Sequence, residues 1–430
     1  MRVQMRDALA HARVDPGEGP LGTERLLLRA RDTADEAEEG PDLVLAEVVE
    51  RVDVIARDDE RVTRQERRAV EEREHGPLVV DDVRLRLAAR DRAEDAGLHA
   101  AIVQQGACSD ANVHVLRHTM GDVTDRRIRF ATQAGGAPSG EEWIARAKRV
   151  EALGYGTIAM PDHVVGQSWS PHPALAAVAT TTSLRIGTLV LDNDFRNPLI
   201  TAREAATLDV LSNGRFELGL GAGWHDRDYQ SLGMPMDRGR VRVERLAEAV
   251  GLMKRLFTEE EVTHEGTYYQ MQAAKCAPKT VQQPHPPFLI AGGGPLILDL
   301  AAREADILAI VPYGAGARTP TVDDVSFDGA RAQLRRVRDA AGARFDDIEL
   351  SMFVDCALTD DREGTIRELS EKSKSDPEIT RSSIYRGIGS LDEIQAHLQR
   401  VREELGITYF CLRGPDVETL GPIVRELANT

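Results

Sequence analysis

The chain has 430 residues, a formal net charge of −17 and 42% hydrophobic residues. This composition supplies a sizeable core, while the acidity argues against nucleic acid as a partner, because such binding needs clustered Lys and Arg. No run of about 18 apolar residues predicts a membrane span, and the N-terminus lacks the apolar segment of a secretory signal. The four cysteines form no CxxC pair, so a cytoplasmic protein without a disulfide framework is the default expectation.

The first 119 residues differ in composition from the rest. Before Met120 the chain has no Phe, Tyr, Trp or Lys, and without large side chains a packed core has little to bury. We therefore predict a disordered or loosely structured N-terminal extension over 1–119 and one folded domain over 120–430. Two alternatives stay open for the extension: a small helical accessory domain, or a segment that is not part of the native protein, which would then begin at Met120.

From residue 127 onward, short apolar runs alternate with amphipathic stretches that carry helix start and stop residues. Ser390 with Glu393 matches a capping box, and Asn197 followed by Pro198 matches a helix N-terminus. The apolar runs predict eight strands at 128–133, 157–161, 185–191, 215–221, 288–291, 307–311, 349–354 and 409–412.

Eight strands that alternate with helices predict an α/β protein with the (β/α)8 fold of a TIM barrel. The competing doubly wound sheet would need a GxGxxG turn directly after the first strand, and AGGAPSG stands there instead. The connection over 258–287 is longer than a normal connection and predicts a hairpin insertion near the barrel mouth.

In such barrels the chemistry lies at the C-terminal ends of the strands. Asp162 and His163 follow the second strand, and an acid beside an imidazole can bind a polar ring and move a proton near neutral pH. A solvated loop pair is the alternative. The fifth strand ends in three glycines that directly precede a helix, where free N–H groups and the positive helix end suit a phosphate. A flexible turn is the alternative for these residues, Gly292, Gly293 and Gly294.

Glycines at alternate positions end the fourth strand, in the run Gly221, Ala222 and Gly223. Such glycines let another group approach the backbone closely, and a bulge or a tight barrel interior explains them equally well. The sequence has no HxH, HExxH or GxSxG motif, so no metal site is predicted and serine hydrolysis has no support.

Several stretches together resemble the bacterial luciferase-like superfamily. These are PDHV after the second strand, GTLVL in the third, RNPLITAREAATLDVLSNGRFELGLGAGW leading through the fourth, and PPFLIAGGGP at the fifth. The resemblance covers about residues 127–430, and LDVLSNGRFELGLGAGW is its most specific block. Within the superfamily, the sequence looks most like the deazaflavin-dependent oxidoreductases that use coenzyme F420.

The resemblance implies roles for the candidate residues. Asp162 and His163 would lie against the deazaflavin ring, with His163 handling a proton or polarising the substrate. A non-prolyl cis peptide that supports the ring would fall at Leu189–Val190. The remaining implied cofactor-binding residues are those that line the site beside the ring, Gly221, Ala222 and Gly223, and those that bind the phosphate, Gly292, Gly293 and Gly294.

The implied activity is hydride transfer between the coenzyme and a small organic molecule, in either direction. Sugar-phosphate dehydrogenases of this group carry a catalytic glutamate right after the fourth strand, where this chain has Trp224, which counts against glucose 6-phosphate as the substrate. The alternatives are an FMN-dependent monooxygenase with the same barrel and a non-catalytic ligand-binding barrel. A small-molecule substrate is the expected partner, with neither nucleic acid nor membrane, and the resemblance is compatible with a homodimer.

Overall fold

The computed structural model describes residues 126–166, 169–314, 318–414 and 418–428. The predicted extension over 1–119 lies outside the described residues, so its character and the boundary at Met120 stay predictions. Within the described ranges, no helix has both the length and the apolar character that a membrane crossing needs.

Twelve strands occur in the described residues. In chain order they are β1 Arg129–Gln133, β2 Thr157–Met160, β3 Arg185–Thr188, β4 Leu191–Asp192, β5 Phe216–Gly221, β6 Val262–Glu265, β7 Gln270–Ala274, β8 Phe288–Gly292, β9 Ile307–Ile310, β10 Glu349–Leu358, β11 Arg386–Gly389 and β12 Tyr409–Arg413.

Eight of these strands close into a parallel barrel. The order is β1-β2-β3-β5-β8-β9-β10-β12, and β12 returns to pair with β1 through the register Arg129 with Tyr409. Each barrel strand corresponds to one of the eight predicted strands, so the predicted (β/α)8 barrel is confirmed.

The strand boundaries differ from the prediction by more than one residue at two places. The third predicted strand ends at Thr188 and resumes only as β4, which pairs with β5. The seventh predicted strand, β10, runs on to Leu358, where its extension pairs with β11. The prediction missed β11 because this short strand contains two glycines, which weaken a strand pattern.

Helices follow the barrel strands and form the outer wall. In the described part of the chain they are α1 Gly140–Ala152, α2 Pro171–Ala179, α3 Pro198–Leu211, α4 Asp226–Leu232, α5 Gly239–Thr258, α6 Pro295–Glu304, α7 Val322–Val325, α8 Phe327–Ala341, α9 Arg362–Ser373, α10 Pro377–Ser382, α11 Leu391–Leu405 and α12 Gly421–Leu427.

The helix boundaries follow the capping residues in the sequence. The Asn197 side chain accepts a hydrogen bond from the N–H of Leu199, and Pro198 occupies the first turn of α3. At α11 the Ser390 and Glu393 side chains each accept from the other residue's backbone N–H. Such capping satisfies N–H groups that the first helical turn leaves without partners.

Side-chain alternation along the strands separates two cores. In β12, Tyr409 and Cys411 point into the barrel interior, whereas Phe410 and Leu412 point to the helices. The middle of the interior holds mostly small side chains, namely Ala131, Ala159, Ala309 and Cys411. Small side chains in this layer leave room above them, at the C-terminal mouth.

Charged residues close the opposite, N-terminal end of the barrel, which we call the floor. The Glu217 carboxylate accepts from Arg129 Nη1 at 2.5 Å, from Arg185 Nε at 2.7 Å and from the Tyr409 hydroxyl at 2.9 Å. Arg129 also binds Glu349 and lies 3.5 Å from the centre of the Tyr409 ring. Burial by itself would raise the pKa of Glu217, but Arg129 and Arg185 lower it below the ordinary value.

The predicted insertion between 258 and 287 contains a hairpin, in which β6 and β7 pair antiparallel. The hairpin lies against α5, where the Glu248 carboxylate accepts from the backbone N–H groups of Thr267, Tyr268 and Tyr269. Asn193 Nδ2 donates to the Tyr269 hydroxyl at 3.0 Å. Since Asn193 directly follows β4, this contact brings the hairpin tip to the rim of the mouth, as the sequence predicts.

Candidate active site

The Asp162 carboxylate lies buried at the mouth, directly after β2. Both of its oxygens accept hydrogen bonds from the Arg196 guanidinium, and the Asp192 N–H donates to Asp162 Oδ2 at 3.2 Å. A bidentate arginine pair is a strong, oriented interaction. The side chain of Asp162 is therefore committed to positioning this part of the mouth.

His163 is held by a carboxylate that sequence reasoning missed. Its Nδ1 lies 2.7 Å from Asp228 Oδ2, and the same oxygen lies 3.1 Å from Nδ1 of His225. The other oxygen of Asp228 accepts from the backbone N–H groups of Val164 at 3.0 Å and Val165 at 2.9 Å. Asp228 thus accepts four N–H groups, and its own side chain is only 3% exposed.

These contacts keep Asp228 ionised. Burial alone would raise the pKa of Asp228, but hydrogen bonds from His163, from Val165 N–H and from His225 lower it below the ordinary value. An ionised carboxylate can only accept, so both imidazoles donate from Nδ1. In its neutral form, His163 therefore carries its lone pair on Nε2.

The ligand atoms of His163, His225 and Asp228 lie within 4.8 Å of one another, a spacing that a metal ion could also use. The sequence predicted no metal site. The four N–H donors already on Asp228 occupy its acceptor positions, so the observed arrangement is that of a hydrogen-bonded network.

Trp224 lies beside this network and is half exposed. Its ring meets the His163 ring edge-on, with centroids 5.7 Å apart at 87°, and the His225 ring at 4.9 Å. At the position where the resemblance implies a glutamate in sugar-phosphate dehydrogenases, this chain has an indole, which presents apolar surface to the mouth.

The Leu189–Val190 peptide bond is cis, as the resemblance implied. Gln133, the last residue of β1, donates from Nε2 to the Leu189 carbonyl at 2.6 Å. Glycines in β5 make room for this segment, because a Cβ on Gly219 would lie 1.9 Å from the Thr188 carbonyl oxygen and one on Gly221 would lie 2.8 Å from Val190. The alternating glycines of β5 therefore accommodate the neighbouring strand's bulge.

The backbone after β5 is packed against protein groups. Arg242 Nη1 donates to the carbonyls of Ala222 and Gly223. Gly223 has φ +77°, and a Cβ there would lie 2.0 Å from the Tyr229 hydroxyl. Only glycine fits this position without rearrangement.

The three glycines at the end of β8 differ in the space around them. A Cβ on Gly292 would collide with Ile297, and one on Gly293 would lie 2.3 Å from the Val311 carbonyl oxygen. At Gly294 the nearest atom would be a Tyr313 carbon at 3.9 Å, and this residue begins α6 without a side-chain cap. The first-turn N–H groups of α6 therefore lack a side-chain acceptor.

The predicted site residues all lie at one edge of the barrel. Asp162 and His163 follow β2, Leu189 and Val190 follow β3, and the two glycine runs end β5 and β8, which are consecutive strands of the barrel. Sequence reasoning missed the residues that hold them. Asp228 lies in the first turn of α4, three residues beyond His225, and Arg196 lies four residues beyond Asp192, so polar positions next to predicted strand ends were the available signal.

Asp192, on β4, is a further buried acid at this edge, beside Asp162 and Asp228. Burial and the neighbouring carboxylates of Asp194 and Asp162 raise the pKa of Asp192 to about 7. Its Oδ1 accepts from the Asp194 N–H at 3.0 Å and from the Tyr229 hydroxyl at 3.3 Å. Two buried acids of the mouth therefore differ in charge: Asp228 is ionised, and Asp192 is largely protonated below neutral pH.

A parallel barrel with an acid–imidazole site at its C-terminal mouth has the design of a TIM-barrel enzyme. The chain belongs to the luciferase-like monooxygenase family, whose model matches residues 121–406.

The names of known proteins with related sequences mention two different cofactors. The F420-dependent glucose-6-phosphate dehydrogenase of Intrasporangium calvum is 34% identical over 177 residues, which cover 38% of this chain and 52% of that protein. The FMNH2-dependent dimethylsulfone monooxygenase of Pseudomonas putida is 24% identical over 204 residues, which cover 47% and 53%. The chain thus spans about half the length of these curated relatives.

Among solved structures, the coenzyme F420 dependent tetrahydromethanopterin reductase from Methanopyrus kandleri superposes with a TM-score of 0.58. The match covers 70% of this chain and 98% of the reductase at 17% sequence identity. At this identity the likeness establishes the barrel fold.

Proposed function

We propose that the chain is an oxidoreductase that uses coenzyme F420 to transfer hydride to or from a small organic molecule. The observation that carries the proposal is the His163–Asp228 pair at 2.7 Å at the barrel mouth, on the strand next to the Leu189–Val190 segment. The F420-dependent name of the Intrasporangium calvum relative supports this choice of cofactor.

The described residues fit a coenzyme with a flat ring and a phosphate. Small side chains, those of Ala131, Ala159, Ala309 and Cys411, lie in the interior below the mouth beside larger ones such as Leu289, and they leave depth for a ring there. The N-terminus of α6, three strands further round the barrel from His163, has no side-chain cap, and a Cβ on Gly294 would meet a Tyr313 carbon at 3.9 Å without a clash. Free N–H groups at a helix N-terminus suit a phosphate, so Gly292 to Gly294 would hold that group.

When bound, the coenzyme would supply a carbon centre that gives or takes hydride. His163 would handle the accompanying proton at Nε2, because Asp228 holds the imidazole by Nδ1. The Asp162–Arg196 pair would keep the backbone around His163 in place. With its side chain 32% exposed, His163 is open to the mouth on one side and anchored on the other.

Glucose 6-phosphate is not part of this proposal. Trp224 stands where the related sugar-phosphate dehydrogenases carry their glutamate, and its half-exposed indole cannot donate or accept a proton in that role. An apolar wall at this position fits a less polar substrate better than a sugar phosphate.

Titration of the full chain with F420 and with FMN, followed by fluorescence, tests the cofactor. We expect F420 to bind in the micromolar range and FMN to bind much more weakly. Binding of FMN alone would contradict the proposal and assign the chain to the FMN-dependent monooxygenases. Binding of neither would favour a non-catalytic ligand-binding barrel.

Single-turnover mixing of the chain loaded with reduced F420 with a panel of ketones and enones then tests the chemistry. In the variant His163→Ala we expect F420 affinity to persist while hydride transfer slows by about 100-fold or more, the usual contribution of an acid–base group. An unchanged rate would remove His163 from the reaction. The cytoplasmic location and the homodimer stay predictions from the sequence.

A further inference from the structure

A second ion pair stands at the mouth, away from His163. Arg413, the last residue of β12, donates from Nε to Asp355 Oδ1 at 2.7 Å and from Nη2 to Asp355 Oδ2 at 3.0 Å. The two side chains are 37% and 43% exposed. Neither residue has a part in the site described above.

The strand pattern places this pair inside the barrel. Tyr409 and Cys411 of β12 point into the interior core, so Arg413, two residues further, lies on the same face. In β10 the ring of Phe353 packs against the interior core, and Asp355 follows it by two residues. The Arg413 guanidinium carbon lies 4.7 Å from the centre of the Phe353 ring.

The barrel order places the pair across the mouth from the ends of β3 and β5. Counted round the eight strands, β10 lies four strands from β3 and β12 lies four strands from β5. Val190 and Phe353 both pack on the interior core, each from its own side. A molecule in the mouth therefore has Leu189–Val190 on one side and the Phe353–Arg413 wall on the other.

Among the described residues, Asp355 is the acceptor for the Arg413 guanidinium, which donates to it through Nε and Nη2. A guanidinium presents five N–H donors in a planar fork. The edge formed by Nη1 and Nη2 can therefore donate to a second planar pair of oxygens. Asp355 and Phe353 hold the plane of Arg413, which reduces the entropy lost when a ligand binds.

Two other arginines at the mouth are engaged with protein groups. Arg196 binds the buried Asp162 carboxylate with both of its terminal nitrogens, and Arg242 donates to the backbone carbonyls of Ala222 and Gly223. Of these three arginines, Arg413 is the one paired with a half-exposed partner and stacked on a ring that faces the interior.

We propose that Arg413 binds a carboxylate of the substrate, with Asp355 and Phe353 as its positioning residues. The inference rests on the proposed function, since it names the substrate class of the same site as a small carboxylate-bearing organic molecule. Recognition would use the planar fork of the guanidinium, which can bind a carboxylate through two parallel hydrogen bonds.

Calorimetric titration of the full chain with benzoate, with and without F420, tests this site. We expect saturable benzoate binding that weakens by about tenfold or more in Arg413→Gln, the usual effect of losing a charged hydrogen-bond pair. Arg413→Lys should recover only part of the affinity, because lysine keeps the charge and loses the fork. Benzamide, which lacks the charge, should bind about tenfold more weakly than benzoate.

Arg336→Gln is the matched control. Arg336 makes the same two-bonded pair with Asp299 on the outer wall, with both bonds at 2.7 Å, and its loss should leave benzoate binding unchanged. Circular dichroism of each variant shows whether it is folded. Where Arg413→Gln does not fold, the Arg413→Lys result and the comparison of benzoate with benzamide decide the question.

The inference would be overturned if benzoate bound the wild-type chain neither with F420 nor without it. Equal benzoate binding by wild type and Arg413→Gln would also overturn it, and so would inorganic phosphate that competes as strongly as benzoate. Failure of F420 to bind would instead overturn the proposed function. Benzoate titration of the chain without F420 would still decide the role of Arg413 in that case.

Discussion

The floor and the mouth of the barrel both bury a carboxylate, and the two ends use it differently. At the floor, Glu217 is enclosed by Arg129, Arg185 and Tyr409, and its side chain is 3% exposed. At the mouth, Asp228 is equally buried, and its side-chain partners are the imidazoles of His163 and His225. A buried carboxylate needs donors at either end, and the donors differ in kind: guanidinium groups at the floor stay charged, whereas imidazoles at the mouth can give and take a proton near neutral pH.

Neighbouring charges also shift the pKa values of the buried acids in opposite directions. Glu217 faces two guanidinium groups, which lower its pKa in spite of burial. Asp192 is also buried, and its charged neighbours include Asp194 and Asp162, so its pKa rises to about 7. Burial is common to both residues, and the sign of the neighbouring charge decides which form each acid takes.

The largest effect is expected at the floor. Glu217→Ala leaves Arg129 and Arg185 without the carboxylate between them, so we expect the free energy of unfolding to fall by about 3–5 kcal/mol, as for other broken buried pairs. Chemical denaturation of the full chain measures this change. A loss below about 1 kcal/mol would show that the floor network adds little to stability, and F420 affinity of the folded variant should stay at the wild-type value.

Replacing Asp192 should change the free energy of unfolding by a smaller amount that depends on pH. Its raised pKa means that the folded chain binds more protons than the unfolded chain between about pH 4 and 7, so this carboxyl makes stability fall as pH rises through that range. Asp192→Asn removes the titrating group. The free energy of unfolding of the variant, measured relative to that of wild type, should therefore rise by about 2–4 kcal/mol as the pH goes from 4 to 8.

Denaturation of both proteins at a series of pH values measures this difference. Comparing the two chains cancels the titration of all other groups that the substitution leaves unchanged. A constant difference across the pH range would contradict the raised pKa of Asp192.

The third effect falls on activity. In Asp228→Asn we expect hydride transfer to slow by about 10–100-fold, because an amide holds the His163 imidazole less firmly than a carboxylate does. F420 affinity should stay within about threefold, and the pH profile of the rate should shift, since the charge beside His163 is gone.

Asp226→Asn is the matched control for this prediction. Asp226 lies in the same first turn of α4 but is exposed and binds Gln230. This variant should keep the wild-type rate and pH profile. Equal losses in the two variants would show that the effect comes from α4 as a whole.

The sequence by itself was sufficient to predict the order of the barrel strands and the helices between them. Apolar periodicity located the eight barrel strands, because alternating burial is a local property of each segment. Capping residues such as Asn197 and Ser390 predicted helix starts for the same reason. The resemblance carried by local motifs also predicted the cis bond at Leu189–Val190.

Contacts between distant segments were decided only by the tertiary structure. His163 and Asp228 are 65 residues apart, and Asp355 and Arg413 are 58 apart. Each pair meets because barrel closure brings the ends of β2 and β5, or of β10 and β12, to one mouth, and no local pattern records which polar side chain will face which. The sequence therefore determined the barrel and the Asp162–His163 motif, whereas the packing of strands remote in the chain decided which carboxylate holds His163 and where Arg413 faces the mouth.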